Sequence, residues 1–230
     1  MPALTFLGVL LLSYLIGSIP FGLVIVRLRT GKDIRSVESG RTGGTNVMRA
    51  AGLPYGIATA TLDMLKALVC VIIARYAVPG NHWLEVLAPV AAVLGHNYPI
   101  YLLQRGENGR LNIRGGAGGA PSVGGATGLW PPIFFIILPL AGLILYFVGY
   151  ASLATLSVPL ICLAVFAYRA AIWGSPWEYL AYGLFTFVVL VWALRPNIKR
   201  LIEGNERLIG YRARHKKNDP KINQNSGQPG

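Results

Sequence analysis

Long apolar stretches, broken by short polar segments rich in arginine and glycine, set the pattern of this chain. An apolar stretch of about 17 to 25 residues is long enough to cross a bilayer as a helix. Six such stretches occur, over residues 4–26, 56–78 and 83–103 and, after a glycine-rich region, 129–150, 151–168 and 177–194. The expected fold is therefore an all-α polytopic membrane bundle. From residue 195 onward the chain is polar and basic, and its last 15 residues have no apolar period. Such a composition cannot bury a core and reads as disordered. The domain reading is a transmembrane unit over residues 1–210 and a basic cytoplasmic tail over 211–230. The first stretch has no basic segment before it and no clean small-residue cleavage site, so it reads as a retained span.

Composition sharpens this picture. Of 230 residues, 53% are hydrophobic and only 13% charged, about half the charged share of a soluble domain. A soluble enzyme is excluded. The charges that remain are 21 Lys and Arg against 9 Asp and Glu, a net charge of +12. Because the bases sit between apolar spans, they argue for membrane orientation and against nucleic acid as a partner. Cys70 and Cys162 lie far apart inside apolar runs, which rules out a disulfide framework or zinc cluster and leaves two small buried hydrophobes.

Eighteen of the 21 basic residues fall in segments 27–49, 104–114 and 195–230. The positive-inside rule puts all three segments in the cytoplasm and the N-terminus outside. Six crossings would then strand the basic tail outside. Residues 115–150, counted as one span, would form a helix about 54 Å long, against a hydrocarbon core of about 30 Å. Pro131, Pro132 and Pro139 supply a break, and two short crossings there make seven spans with the C-terminus inside. Five spans, with 151–168 not crossing separately, is the alternative.

Three cytoplasmic segments carry candidate chemistry. In the first, Gly40, Gly43 and Gly44 permit the convergent backbone N–H groups that hold phosphate. Ser39, Thr45 and Asn46 add side-chain donors, and Arg49 adds a planar cationic fork. The alternative is a solvated basic loop. In the second, the run from Arg114 through Gly115, Gly116 and Gly118 to Gly125 precedes an apolar span, suiting a helix N-terminus that receives an anion or close helix packing through small residues. In the third, Asn197 and Glu206 stand among bases such as Lys199 and Arg200 that otherwise suit lipid headgroups. Asp63 and Lys66, three apart inside the second span, share a helix face where they neutralise each other, either as a functional intramembrane pair or as a structural one near the cytoplasmic end. His96 is the one histidine beside a motif. No metal-ligand cluster, nucleophilic triad or cofactor-binding motif emerges.

Five motifs occur in order: Ser18-Ile-Pro-Phe-Gly22; Ser39-Gly through Gly-Thr-Asn46 to Arg49; Leu62-Asp-Met-Leu-Lys66; Gly95-His-Asn-Tyr-Pro99; and Asn197-Ile-Lys-Arg-Leu through Gly-Asn-Glu206. Over about residues 10–210 the chain resembles the bacterial acyl-phosphate:glycerol-3-phosphate acyltransferases, the PlsY-type membrane enzymes. The resemblance implies transfer of a fatty acyl group from acyl phosphate to the sn-1 hydroxyl of glycerol 3-phosphate, giving lysophosphatidic acid at the cytoplasmic face of the bacterial inner membrane. It implies catalytic roles for Ser39, Arg49, Asn197 and Glu206. It implies acyl-phosphate binding at Gly115, Gly116 and Gly118, to which the residues themselves add Gly43, Gly44, Thr45, Asn46 and Arg114 as phosphate-binding candidates. The implied partners are the two substrates and membrane lipids, with no cofactor and no metal.

Four departures accompany the resemblance. Ala117 stands where the family's second motif usually has Lys, and Arg41 replaces a usual Asn. The loop before the second motif is about eight residues longer, near residues 107–112, and Leu194 stands where the family often has His. Arg114, directly before the glycine turn, is the first candidate to replace the missing cation and Arg110 the second; alternatively both only hold the loop inside. Without replacement, the scaffold would act as a binder of phospholipid precursors or an anion transporter.

Overall fold

A computed structural model describes residues 2–105, 109 and 111–213. It consists of nine α-helices and one small strand pair among those residues: α1 (Pro2–Ser18), α2 (Phe21–Thr30), α3 (Gly44–Ala51), α4 (Leu53–Ala77), α5 (His82–Asn97), β1 (Gln104–Arg105), β2 (Leu111–Asn112), α6 (Gly119–Leu129), α7 (Phe134–Leu143), α8 (Ala151–Trp173) and α9 (Glu178–Ile202). The strands pair antiparallel at the base of the long loop. Arg110 and residues 214–230, which include most of the expected tail, lie outside the described residues.

Among the described residues, five helical stretches are long and apolar enough to cross a membrane: Ala3–Thr30, Leu53–Ala77, Pro131–Val148, Ala151–Trp173 and Glu178–Ile202. The first is α1 and α2 joined at Pro20, whose missing N–H breaks the helical ladder. Within 115–150 the chain breaks at Trp130–Pro132, where a β-region residue and a short 3₁₀ turn separate α6 from α7. Pro139 does not break the chain; it sits inside α7, which continues as a π-helical turn over Ile144–Val148. The stretch expected at 83–103 ends as helix at Asn97, and that expected at 151–168 runs on to Trp173.

Close backbone approach holds the bundle together where small residues allow it. A Cβ on Gly95 of α5 would strike the Tyr14 carbonyl of α1, and one on Gly124 of α6 would strike the Met64 carbonyl of α4. A core of Val71, Val86, Ile133, Ile137, Phe166 and Tyr182 joins α4 through α9. Large apolar side chains, among them Leu7, Leu28, Phe135, Ile172 and Val188, face outward. That outer sleeve suits lipid, which replaces water as the solvent of the spans.

The two ends of the bundle differ. At one end lie the C-termini of α4, α6 and α8 and the N-termini of α5 and α9. There Arg75 pairs with Glu85 at 2.8 Å and its Nη2 donates to the Leu129 carbonyl at 3.1 Å. Trp83 meets Trp177, and Trp130 meets Trp173, in edge-to-face contacts; such rings concentrate at membrane–water boundaries. The opposite end gathers the arginine- and glycine-rich segments.

Candidate active site at the arginine-rich end

A cavity of about 410 Å³ opens at this end, lined from the loop before α3 to the segment after α9. Five arginines line it (Arg41, Arg49, Arg114, Arg200 and Arg207) against three carboxylates, Glu38, Asp63 and Glu206. Each carboxylate already has partners. Glu38 pairs with Arg207 at the rim. Asp63 Oδ1 lies 2.8 Å from Lys66 Nζ and 3.4 Å from His96 Nδ1. Glu206 accepts from the Ser152 hydroxyl at 2.6 Å and from Asn197 Nδ2 at 3.1 Å. The uncompensated charge of the cavity is positive.

Two helices begin at its wall. Asn46 and Val47 both donate to the Gly43 carbonyl, so the amides of Gly44 and Thr45 in the first turn of α3 have no helical acceptor. The first turn of α6 contains Pro121, which has no N–H, leaving Gly119 and Ala120 as its amide donors. Before it, Gly118 has a φ of +90°, in the left-handed region that favours glycine. Two helix N-termini thus add partial positive charge and N–H groups to the same space.

The loop before α3 owes its shape to Asn46. Its Nδ2 donates to the carbonyls of Val37 and Arg41 at 3.0 and 2.9 Å, and its Oδ1 accepts the Ser39 N–H at 3.4 Å. Asn46 lines the cavity as expected, but both its amide hydrogens are committed to the loop that presents its neighbours. Ser39 Oγ accepts the Arg41 N–H at 3.4 Å and keeps its own hydrogen to donate. Arg49 stands at the wall, open to solvent.

Gly115 and Gly116 also differ from expectation. They are buried outside the cavity wall, and their amides donate to the carbonyls of Asn97 and His96, each at 3.0 Å. A Cβ on Gly116 would strike the His96 ring, and one on Gly115 the His96 carbonyl. These glycines let the loop lie flat against the end of α5 and have no N–H left for an anion. Gly43, Gly44, Thr45, Gly118 and Arg114 do line the cavity, as do Ser39, Asn197 and Glu206.

The segment after α9 reaches the site by folding back. Ile209 N–H donates to the Gly149 carbonyl at 2.8 Å, and Tyr150 bridges Leu208, bringing Glu206 against Ser152 at the start of α8. Upstream, Pro196 inside α9 leaves the Trp192 carbonyl without its helical donor, and Arg195 Nε takes it at 2.9 Å.

Asp63, His96 and Arg41 are among the groups at the site that were not expected site residues. Asp63 and His96 reach the cavity from the middle helices. The adjacency of both residues to motifs was the available signal. Arg41 is the third. Only 9% exposed, it donates from Nη1 to the Gly116 carbonyl at 2.9 Å and from Nη2 to the Ala193 carbonyl at 2.6 Å and Asn197 Oδ1 at 3.2 Å. Burial, with Arg114 and Arg200 nearby, pulls its guanidinium down to about 10, so it stays charged at neutral pH. A single thread of side-chain contacts therefore runs from Arg41 through Asn197 and Glu206 to Ser152.

Comparison with known proteins bears on this arrangement. The family model for glycerol-3-phosphate acyltransferase matches residues 7–204. The chain is 37% identical over 216 residues to a glycerol-3-phosphate acyltransferase of Anaeromyxobacter sp. (strain Fw109-5), covering 88% of this chain and 97% of that one. It is 35% identical over 204 residues to one from Thermus thermophilus, covering 89% and 95%. The crystal structure of PlsY (YgiH), an integral membrane glycerol 3-phosphate acyltransferase, in its glycerol 3-phosphate form aligns with a TM-score of 0.75 at 30% identity, covering 89% of this chain and 96% of that one. Its lysophosphatidic acid form aligns with a TM-score of 0.73 at 29% identity. With residues 7–204 matched by the family model and a relative 37% identical covering 88% of it, the chain belongs to the glycerol-3-phosphate acyltransferase family.

Proposed function

We propose that this cavity carries out acyl transfer from acyl phosphate to the sn-1 hydroxyl of glycerol 3-phosphate, releasing lysophosphatidic acid and phosphate. The observation that carries the reading is the charge balance: among the described residues, four arginines without a carboxylate partner and two helix N-termini face one space, against a single carboxylate, Glu206, whose partners are neutral. Both substrates bear phosphate, and such a site receives it. In the reaction the hydroxyl oxygen bonds to the acyl carbonyl carbon, the carbonyl–phosphate C–O bond breaks, and the hydroxyl proton ends on the released phosphate. Acyl phosphate is already activated, so positioning and electrostatic stabilisation supply the acceleration without a covalent intermediate.

In this reading Arg49 and Arg114 bind phosphate oxygens from the rim. The amides of Gly44, Thr45 and Gly119 and the Ser39 hydroxyl donate to the same groups. Gly43 and Gly118 give the backbone its approach, and Asn197 and Glu206 hold the far wall through Ser152 and Arg41. The acyl chain stays among the helices and their lipid. Purified protein given palmitoyl phosphate and glycerol 3-phosphate should release lysophosphatidic acid. Equal or faster use of palmitoyl-CoA would contradict the donor assignment.

The same reading sets the orientation. Taken end to end, α1–α2, α4, α5, α6, α7, α8 and α9 run alternately toward and away from the arginine-rich end, which supports seven crossings. At 16 and 11 residues, α5 and α6 are short for a bilayer. The cavity accounts for this in α6, whose N-terminus begins at the cavity wall. The positive-inside rule then puts the cavity on the cytoplasmic side of the inner membrane and the N-terminus outside. Cysteines introduced as Pro2→Cys and Ala213→Cys, with the buried Cys70 and Cys162 replaced by Ala, should label from opposite sides of sealed vesicles. Labelling from one side would refute the odd number of crossings.

A further inference from the structure

We propose that Arg41 is a phosphate-binding residue of this enzyme, supplying from the loop before α3 the cation that position 117 lacks. This rests on the acyl-transfer reading and goes beyond it. Two departures from the family pattern, Arg41 and Ala117, are distant in sequence, yet Arg41 Nη1 is 2.9 Å from the carbonyl of Gly116, the residue next to Ala117. Both line the same cavity.

Arg41 is about nine-tenths buried, and among the described residues no carboxylate lies within ion-pair distance of it. A buried charge without a partner is costly to keep. Every acceptor it has is neutral: two backbone carbonyls and the Asn197 amide oxygen. Those bonds use three of its five N–H donors, and Nε is buried with no partner. A bracing role alone would need the hydrogen bonds and not the charge, and a neutral amide would serve it at lower cost. A guanidinium fixed at three points, still holding unused donors and an unneutralised charge at the cavity wall, suits a substrate phosphate. That phosphate belongs either to the acyl donor or to glycerol 3-phosphate; the position of Arg41 beside the entrance to α6 serves both.

Steady-state kinetics on Arg41→Gln, Ala117→Lys and the double variant test this, with each substrate varied in turn. Arg41→Gln should raise the KM of one phosphate substrate, or lower kcat/KM for it, by roughly 10- to 100-fold, and the substrate affected identifies the phosphate. Ala117→Lys alone should change little. In the Arg41→Gln background, Ala117→Lys should recover at least part of the loss. It restores the charge and none of the three hydrogen bonds, so a merely structural role would show no recovery. Wild-type kinetics in Arg41→Gln, or a folded but unrescued double variant, would overturn the assignment. Should Arg41→Gln fail to fold, Arg41→Lys reads the same point: turnover within about tenfold of wild type upholds the charge role, and loss of fold or activity rejects it. If wild-type protein turns over neither substrate, the acyl-transfer reading fails by itself. Arg41 is then judged by thermal stabilisation with inorganic phosphate, expected to be smaller in Arg41→Gln than in wild type; equal stabilisation would reject it.

Discussion

Replacing Asp63 by Ala is expected to cost the folded protein about 3–5 kcal/mol, because it leaves a buried ammonium without its counter-charge. Asp63 and Lys66 are 1% and 5% exposed, and their ion pair measures 2.8 Å. Lys66 would keep the Ile19 carbonyl at 3.1 Å, His96 Nδ1 at 3.0 Å and the face of the Phe21 ring at 5.7 Å, none of which carries a negative charge. Removing both charges should be milder: Asp63→Leu with Lys66→Met ought to be less destabilised than Asp63→Ala. Thermal unfolding in one detergent would show the single variant lower by roughly 10 °C or more, with the double variant between it and wild type. A midpoint for Asp63→Ala equal to wild type would mean that the pair contributes nothing to the bundle.

The second large effect belongs to Arg49. Arg49→Ala should lower kcat/KM by about 100-fold, the loss expected for one charge-assisted contact to phosphate. Arg49→Lys should recover only part of this, since an ammonium cannot match two phosphate oxygens as the planar fork does. Because Arg49 is open to solvent and makes no ion pair among the described residues, its removal should leave the thermal midpoint unchanged. Wild-type kinetics in both variants would remove Arg49 from the site.

The membrane class and the segments that meet at the site were legible from the order of residues, because apolar length and the placement of arginine are local properties. Length arithmetic also located the break in 115–150, although Trp130–Pro132 makes it and Pro139 does not. A proline inside an apolar helix is tolerated where neighbouring groups take up the freed carbonyl. Side-chain donors and glycines were readable only as types. Whether Asn46 would offer its amide to a ligand or spend it on the Val37 and Arg41 carbonyls depends on how the loop closes, which spacing does not encode. Gly115 and Gly116 carried the right signature for an anion site, but their amides went to the end of α5. Arg41, noted as a departure from the family pattern, was not read as a site residue for a related reason. As one base among six in its segment it looked like part of the inside-positive charge, and its partners are 75, 152 and 156 residues away.

The most direct test is to locate lysophosphatidic acid bound to this protein by crystallography or electron microscopy. If the cavity is the site of acyl transfer, the phosphate should lie among Arg49, Arg41 and the first turns of α3 and α6, with the ester near Ser39 and the acyl chain leaving between helices toward lipid. A phosphate bound instead at the Arg75–Glu85 end of the bundle, or on the outer surface with the arginine-rich cavity empty, would contradict it.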